Sequence, residues 1–321
     1  MLLDTGISII MNRWLEITQD ELVLFITDEH HLREAEAVEK WARSSDSVVR
    51  VIVLDSQEVQ KGQVIEDMSE LLSRSNVIIG ATDYSFITTP PVIRATKAGA
   101  RFLSLPLSCT DGTSLLENEF IAMDTRWASK VGKKLQSALK KASFVRVTTK
   151  KGTDLLFDKR GRTCGLYNGM ATRPHQIAST SFEVFVPIVE HGTEGKLILD
   201  GSLGYIGLTK EPIEIDFHEG RMEIISTHPD AERLKEYVLS FDDPTMFING
   251  ELGIGLNVLS KCRGVSYIED ESTYGTFHIG MGRNISLGGV QMAKGHFDMV
   301  THEPTIMADD VVIMKNGQAY L

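Results

Sequence analysis

Leu22-Val-Leu-Phe-Ile-Thr27 is a compact apolar run, and its reading decides the first half of the chain. Such a run suits a strand buried on both faces. Outward from it, two kinds of segment alternate. His30 to Ser44 has helical spacing, with Leu32, Ala35, Val38 and Trp41 along one side. Val48 to Leu54 reads as a second buried strand, Val64 to Ser73 as a helix and Asn76 to Gly80 as a third strand. Pro90 to Gly99 reads as a helix, with Pro near its start and Gly after its end, and Arg101 to Leu105 as a fourth strand. Strands alternating with helices predict an α/β N-terminal domain with a parallel, doubly wound sheet.

A helix is expected from Thr125 to Lys141, and beyond it the pattern changes. Phe144-Val-Arg-Val-Thr-Thr149 alternates like a half-buried strand, and Lys151-Gly152 turns it back into Asp154-Leu-Leu-Phe157. Strand-like runs follow at Phe182 to Val189, Lys196 to Leu199, Ile213 to Phe217 and Arg221 to Ile225, with a helix over Asp230 to Ser240. Asn316-Gly317 near the end suits a two-residue hairpin turn. The expected organisation is a Rossmann-like domain over 1–142 and a catalytic α+β domain rich in antiparallel strands over 143–321. No Walker-type loop and no GxGxxG follows the first strand. Asp28-Glu-His-His31 stands there instead, an acidic segment unsuited to a pyrophosphate.

Composition narrows the function. With 321 residues, 42% of them apolar, the chain has the material for two cored domains. A net charge of −11 argues against nucleic acid as a partner. Lys133-Lys134 and Lys140-Lys141 read as a solvated helix face. Cys109, Cys164 and Cys262 are too sparse for a disulfide framework. The apolar run Ile7 to Met11 lacks the flanks of a signal peptide, and no stretch is long enough to span a bilayer. A cytoplasmic protein without membrane partners is expected.

Two segments of the second half repeat one pattern: Glu251-Leu-Gly-Ile-Gly-Leu-Asn257 and His278-Ile-Gly-Met-Gly-Arg-Asn284. In extended backbone one face carries Glu251, Gly253, Gly255 and Asn257, and its counterpart His278, Gly280, Gly282 and Asn284. Glycine at alternate positions of a strand signals a close approach to the backbone. His296-Phe-Asp298 follows, with both polar side chains on one face if extended. Glu, His, His and Asp are donors suited to a divalent cation. Glu183, inside the apolar run Phe182-Glu-Val-Phe-Val-Pro187, either joins that site or faces water on an edge strand.

These motifs, dispersed over residues 144 to 298, resemble the metallopeptidase family of aminopeptidase T and aminopeptidase S, the thermophilic leucyl aminopeptidases. The resemblance runs through Gly152-Thr-Asp-Leu155, Phe182 to Pro187, Glu194-Gly-Lys-Leu-Ile-Leu-Asp-Gly-Ser202, Gly250-Glu251, His278 to Gly282 and His296 to Asp298. It implies a homodimer with two divalent ions per chain, zinc, cobalt or manganese, held by Glu183, Glu251, His278, His296 and Asp298. Glu251 would bridge the ions, and the water they activate would release N-terminal residues from a small peptide substrate. Asp270 and Glu271 are candidates to orient these ligands, or are ordinary loop acids. One departure stands out: Ile285 occupies the position of a Tyr usual in those peptidases.

The chain is also similar to 2,5-dihydroxypyridine 5,6-dioxygenase, which uses one iron(II) ion. That likeness implies a His at position 251 and an apolar residue at 183, so the ligand types here follow the peptidases. The expected function is a metallo-aminopeptidase. The alternatives are a mononuclear iron(II) ring-cleaving dioxygenase, using His296, Asp298 and Glu251 or His278 on a small molecule, and a non-catalytic metal-binding homologue.

Overall fold

The computed structural model describes residues 1–87 and 89–321. Two compact units emerge: Met1–Thr125 with Tyr167–Thr180, and Arg126–Leu166 with Ser181–Leu321. The division therefore differs from a single boundary at residue 142, for two reasons. Helix Thr125–Lys141 packs with the second unit, where Gly132 lies against Leu166 and Leu256, and Trp127 stacks edge-on to Tyr274. The segment from Tyr167 returns to the first unit because Ile177–Ser179 pairs parallel to Arg101–Ser104.

The first unit holds the expected parallel sheet. Its strands run Val48–Leu54, Leu22–Asp28, Val77–Ala81, Arg101–Ser104 and Ile177–Ser179 across the sheet. Val23 to Ile26 are fully buried, as the opening apolar run requires. Val48–Leu54 is instead an edge strand, with Val48 and Val53 exposed. The core beside the sheet gathers Leu24, Ile26, Ile65, Leu72, Ile78, Val92 and Phe102. The expected helix Val64 to Ser73 breaks at Met68 into Gln63–Asp67 and Ser69–Ser73. The apolar run Ile7 to Met11 belongs to a buried helical segment, Leu3–Ile9 continuing into the wider turn Ile10–Trp14.

The second unit is antiparallel. An eight-stranded sheet contains Phe144–Thr148 and Asp154–Asp158, whose inward residues Val145, Val147, Leu155 and Phe157 are fully buried. Its last hairpin turns on Asn316 and Gly317, both at positive φ, the conformation of a primed turn. A five-stranded sheet runs His296–His302, Thr276–Gly282, Asn249–Gly255, Glu183–Pro187 and Gly165–Tyr167. Its two Gly-x-Gly strands are buried throughout, and a bulge between Asn249 and Glu251 adjusts their register. Among the described residues, no helix is long and apolar enough to cross a membrane.

Candidate metal centre

Strand register explains the glycine repeat. Each of the five predicted ligands faces a glycine on a neighbouring strand. Glu183 pairs with Gly255, Glu251 with Gly280, His278 with Gly253, His296 with Gly282 and Asp298 with Gly280. At two of these positions the missing side chain is what makes the room. A Cβ on Gly253 would stand 1.8 Å from Nε2 of His278. A Cβ on Gly280 would stand 2.8 Å from Oε2 of Glu251 and 2.7 Å from Cε1 of His296. These glycines make space for ligand side chains lying over the sheet. The two Asn residues of the repeat lie past the strand ends and do not reach the ligands. Asn257 accepts from the N–H groups of Leu259 and Ser260. Asn284 donates to Glu190 and to the Gly250 carbonyl.

The ligand atoms fall into two groups, Glu183 with Glu251 and His278, and Glu251 with His296 and Asp298. Within each group every ligand atom lies within 4.8 Å of the others, and Glu251 belongs to both. Nε2 of His278 lies 2.9 Å from Oε2 of Glu183. Nε2 of His296 lies 3.2 Å from Oε2 of Glu251 and 3.4 Å from Oδ1 of Asp298.

Several of these close approaches are not aligned as hydrogen bonds. Oε2 of Glu183, Nδ1 of His278 and Oδ1 of Asp298 are buried with no hydrogen-bond partner. Buried polar atoms left this way are costly, at about 1–3 kcal/mol each. Side chains that converge and still leave carboxylate oxygens unpartnered fit a cation between them. His296 shows the matching tautomer. Its Nδ1 lies 2.8 Å from the Arg283 carbonyl, which can only accept, so Nδ1 carries the proton and Nε2 is free to bind a metal. Glu183 is steadied through its other oxygen, which accepts from the Ser181 hydroxyl at 2.7 Å.

Electrostatics point the same way. Without a cation, burial pushes the Glu251 carboxyl up to about 7, against the hydrogen bond from His296, and the Glu183 charge adds to the rise. Burial, then the Asp298, Glu183 and Glu251 charges, hold Glu271 well above the usual carboxylate range. Burial alone would lower His278, but Glu183, helped by Asp298 and Glu251, carries it up to about 9. His296 is raised despite burial by Asp298 and Glu251. So many buried acids in one place call for a positive charge, which a proton supplies only in part. His296 is the most open of the set, with 31% of its side chain exposed, and marks the side from which a substrate would approach.

Of the two outer candidates, Glu271 is buried against Asp298, whereas Asp270 accepts from the N–H groups of Arg263 and Gly264 and holds a loop. Ile285 lies half-exposed on the short turn Ile285–Leu287. Tyr274 is engaged elsewhere, accepting from the Ala319 N–H. The tyrosines near the cluster are Tyr267 and Tyr205, with ring centroids 4.3 Å apart. Burial raises both phenols, and the charges of Glu271 and Asp298 add to the rise. Tyr205 went unread because it carries no motif. Its one signal is the preceding Gly204, at positive φ, whose backbone lies against the carbonyl of Asp298.

The chain combines a parallel α/β unit with an antiparallel unit that carries a buried His and carboxylate cluster of metal-binding type. The chain belongs to the family of NicX, 2,5-dihydroxypyridine 5,6-dioxygenase, whose sequence model matches residues 21–320. A 2,5-dihydroxypyridine 5,6-dioxygenase of Pseudomonas putida is 24% identical over 139 residues, 40% of this chain and 40% of that protein. That alignment thus spans well under half of the relative's length. The solved structure of 2,5-dihydroxypyridine dioxygenase from Pseudomonas putida KT2440 superimposes with a TM-score of 0.81 at 18% identity, covering 99% of this chain and 96% of that one. Wild-type AmpT from Thermus thermophilus gives a TM-score of 0.68 at 14% identity, covering 99% of both chains. The two structural likenesses are likenesses of fold. The family match reverses the order of the two resemblances: the dioxygenase, placed second on ligand types, is the family, and the aminopeptidase is a fold neighbour.

Proposed function

We propose that the chain is a ring-cleaving dioxygenase for a small hydroxylated aromatic ring of the dihydroxypyridine type, using one iron(II) held by Glu251, His296 and Asp298. The observation that carries this reading is the family match over residues 21–320, in a chain where these three ligands converge at one open edge. One imidazole and two carboxylates invert the two-His, one-carboxylate set usual for iron(II), but the donor types are the same and three of them leave positions for other ligands. The iron would supply the site where dioxygen and the ring oxygens meet. Adding both oxygen atoms across a ring bond consumes no external reductant. The chain's own residues would do the rest. His296, locked by Arg283, presents Nε2 at a fixed angle. Glu271 holds a proton beside Asp298 and orients that carboxylate. The Glu183–His278 pair would hold a proton next to Glu251. Tyr205 and Tyr267 offer phenols for the substrate's polar edge.

A second reading is favoured by one specific observation, the membership of Glu251 in both ligand groups. A bridging carboxylate with Glu183 and His278 on one side, and His296 and Asp298 on the other, suits two ions and a hydrolase. Metal analysis of protein purified without chelator separates the two. One iron per chain, with oxygen uptake on dihydroxypyridines, supports the dioxygenase. Release of free amino acids from aminoacyl amides, with two ions lost together in Glu251→Gln, overturns it in favour of the hydrolase. Metal without turnover on either panel overturns both and leaves a binding protein. A homodimer is also proposed, on the resemblance alone, and light scattering tests it.

A further inference from the structure

The segment Asp28-Glu-His-His31, unsuited to a pyrophosphate, has a different chemistry in three dimensions. Asp28 ends strand Leu22–Asp28, and its side chain is fully buried. His30 and His31 immediately precede helix Leu32–Ser45, and Asp83 follows strand Val77–Ala81. The Leu22 strand lies between the Val48 and Val77 strands, so the strand order reverses between the Leu22 and Val77 strands. In doubly wound sheets the carboxyl ends of the strands at that point form the place for a ligand.

Three donors gather there, Oδ1 of Asp28, Nε2 of His31 and a carboxylate oxygen of Asp83, all within 4.8 Å of one another, with His30 at the rim. Nδ1 of His30 lies 2.6 Å from Oδ2 of Asp83 and 3.8 Å from Oδ1 of Asp28. Nε2 of His31 lies 2.9 Å from Oδ1 of Asp83 and 3.8 Å from Oδ1 of Asp28. Donors around a tetrahedral zinc ion, with bonds of about 2.0–2.2 Å, stand about 3.3–3.5 Å apart, and these distances bracket that spacing. The surroundings fix the carboxylates in place. Asp28 accepts from the backbone N–H groups of His30 and Asp83, and Asp83 also accepts from the Ser56 hydroxyl. One imidazole and two carboxylates, with a fourth position left open, suit a zinc-class cation better than magnesium or calcium, which take six or more oxygens. His30, more than half exposed, leaves the site open to solvent.

We propose that Asp28, His31 and Asp83 form a second cation site of the zinc class, separate from the central cluster. It clamps the carboxyl ends of two adjacent strands to the start of helix Leu32–Ser45. The proposal does not depend on which reaction the central cluster performs.

The test uses the full chain with zinc alone and the variant His31→Gln. Glutamine keeps an N–H donor for Asp83 but offers no imidazole. Zinc titration of chelator-stripped protein should show one ion fewer per chain in the variant. The same subtraction in a Glu251→Gln background assigns that ion to this site. Cobalt(II) loading should lose the visible bands of one tetrahedral centre. Equal zinc counts in both proteins, with equal cobalt spectra, would show a hydrogen-bond network only and overturn the proposal. If that variant does not fold, Asp83→Asn replaces it, since that side chain is only partly buried. Zinc affinity at the site should then fall at least tenfold, and an unchanged affinity would also overturn it.

Discussion

Glu251 carries three constraints at once: a buried carboxyl, a place in both ligand groups, and Gly280 across the strand pair. Glu251→Gln keeps the size and removes the charge. It is expected to lower turnover more than ~100-fold, beyond the roughly 10–100-fold typical of outer partners, and to release at least one ion with an unchanged circular dichroism spectrum. Full activity in the variant would sink its role as a ligand. Glu271→Gln keeps a hydrogen-bond donor beside Asp298, so it should retain most of the bound metal, whereas Glu271→Ala should lose ~10-fold or more in metal affinity. Equal affinities in the two variants would contradict the orienting role. At this scale the sequence was readable where chemistry sits in a motif. Glu251, His278, His296 and Asp298 announce themselves by spacing, and Glu183 by an acid in an apolar run. Tyr205 and Tyr267 do not, because their nearness to Asp298 and Glu271 exists only once a turn and a short helix are brought to the sheet.

Strands deliver the ligands, and the pairing of strands protects them. In Gly253→Ala the new methyl would meet the His278 ring, so the ring must move. The expected result is loss of metal and a destabilisation of about 1–3 kcal/mol, the usual cost of overpacking. Adding His278→Ala should recover part of that stability but none of the metal, as read by thermal unfolding and metal analysis; no recovery would place the clash elsewhere. The loop from Asn284 to Gln291, between the His278 and His296 strands, hangs on Glu190. Burial would raise its carboxyl, but the Val290 N–H, Asn284 and Arg162 together hold it below the usual value. A lowered folded value stabilises the protein above the unfolded value of about 4.3 and is lost as pH falls through the folded one. Glu190→Gln should therefore flatten the acid limb of a stability–pH profile below about pH 4. An unaltered limb would refute it. Periodicity revealed most elements, including helix Thr125–Lys141 at its observed ends. It did not reveal that Val48–Leu54 is an edge, since an apolar run is silent about its neighbours. Nor did it reveal Gly165–Tyr167 and Ile177–Ser179, which are too short to show a period.

Across the whole chain, metal and stability should be linked through the second unit. Glu183, Glu251, Glu271 and Asp298 crowd together there, and a cation that binds only the folded form stabilises it by about 2.7 kcal/mol at a hundred times its dissociation constant. Chelator should lower the melting temperature by several degrees, and restoring metal should recover it. An identical calorimetric trace with and without chelator would count against any resident ion. The parallel and antiparallel halves were legible because periods of two and 3.6 differ plainly. The return of Tyr167–Thr180 to the first unit was not, since a long-range strand addition leaves no local mark. The glycines beneath the ligands have one more consequence. The berth above Gly280 is defined by absence, with no wall shaped to a carboxylate. An imidazole at position 251 would find the same berth, and Glu251→His would exchange the donor while leaving the sheet's scaffolding untouched. The scaffold that makes the room is thus separate from the donor that fills it, and the metal content of Glu251→His protein reads that separation directly.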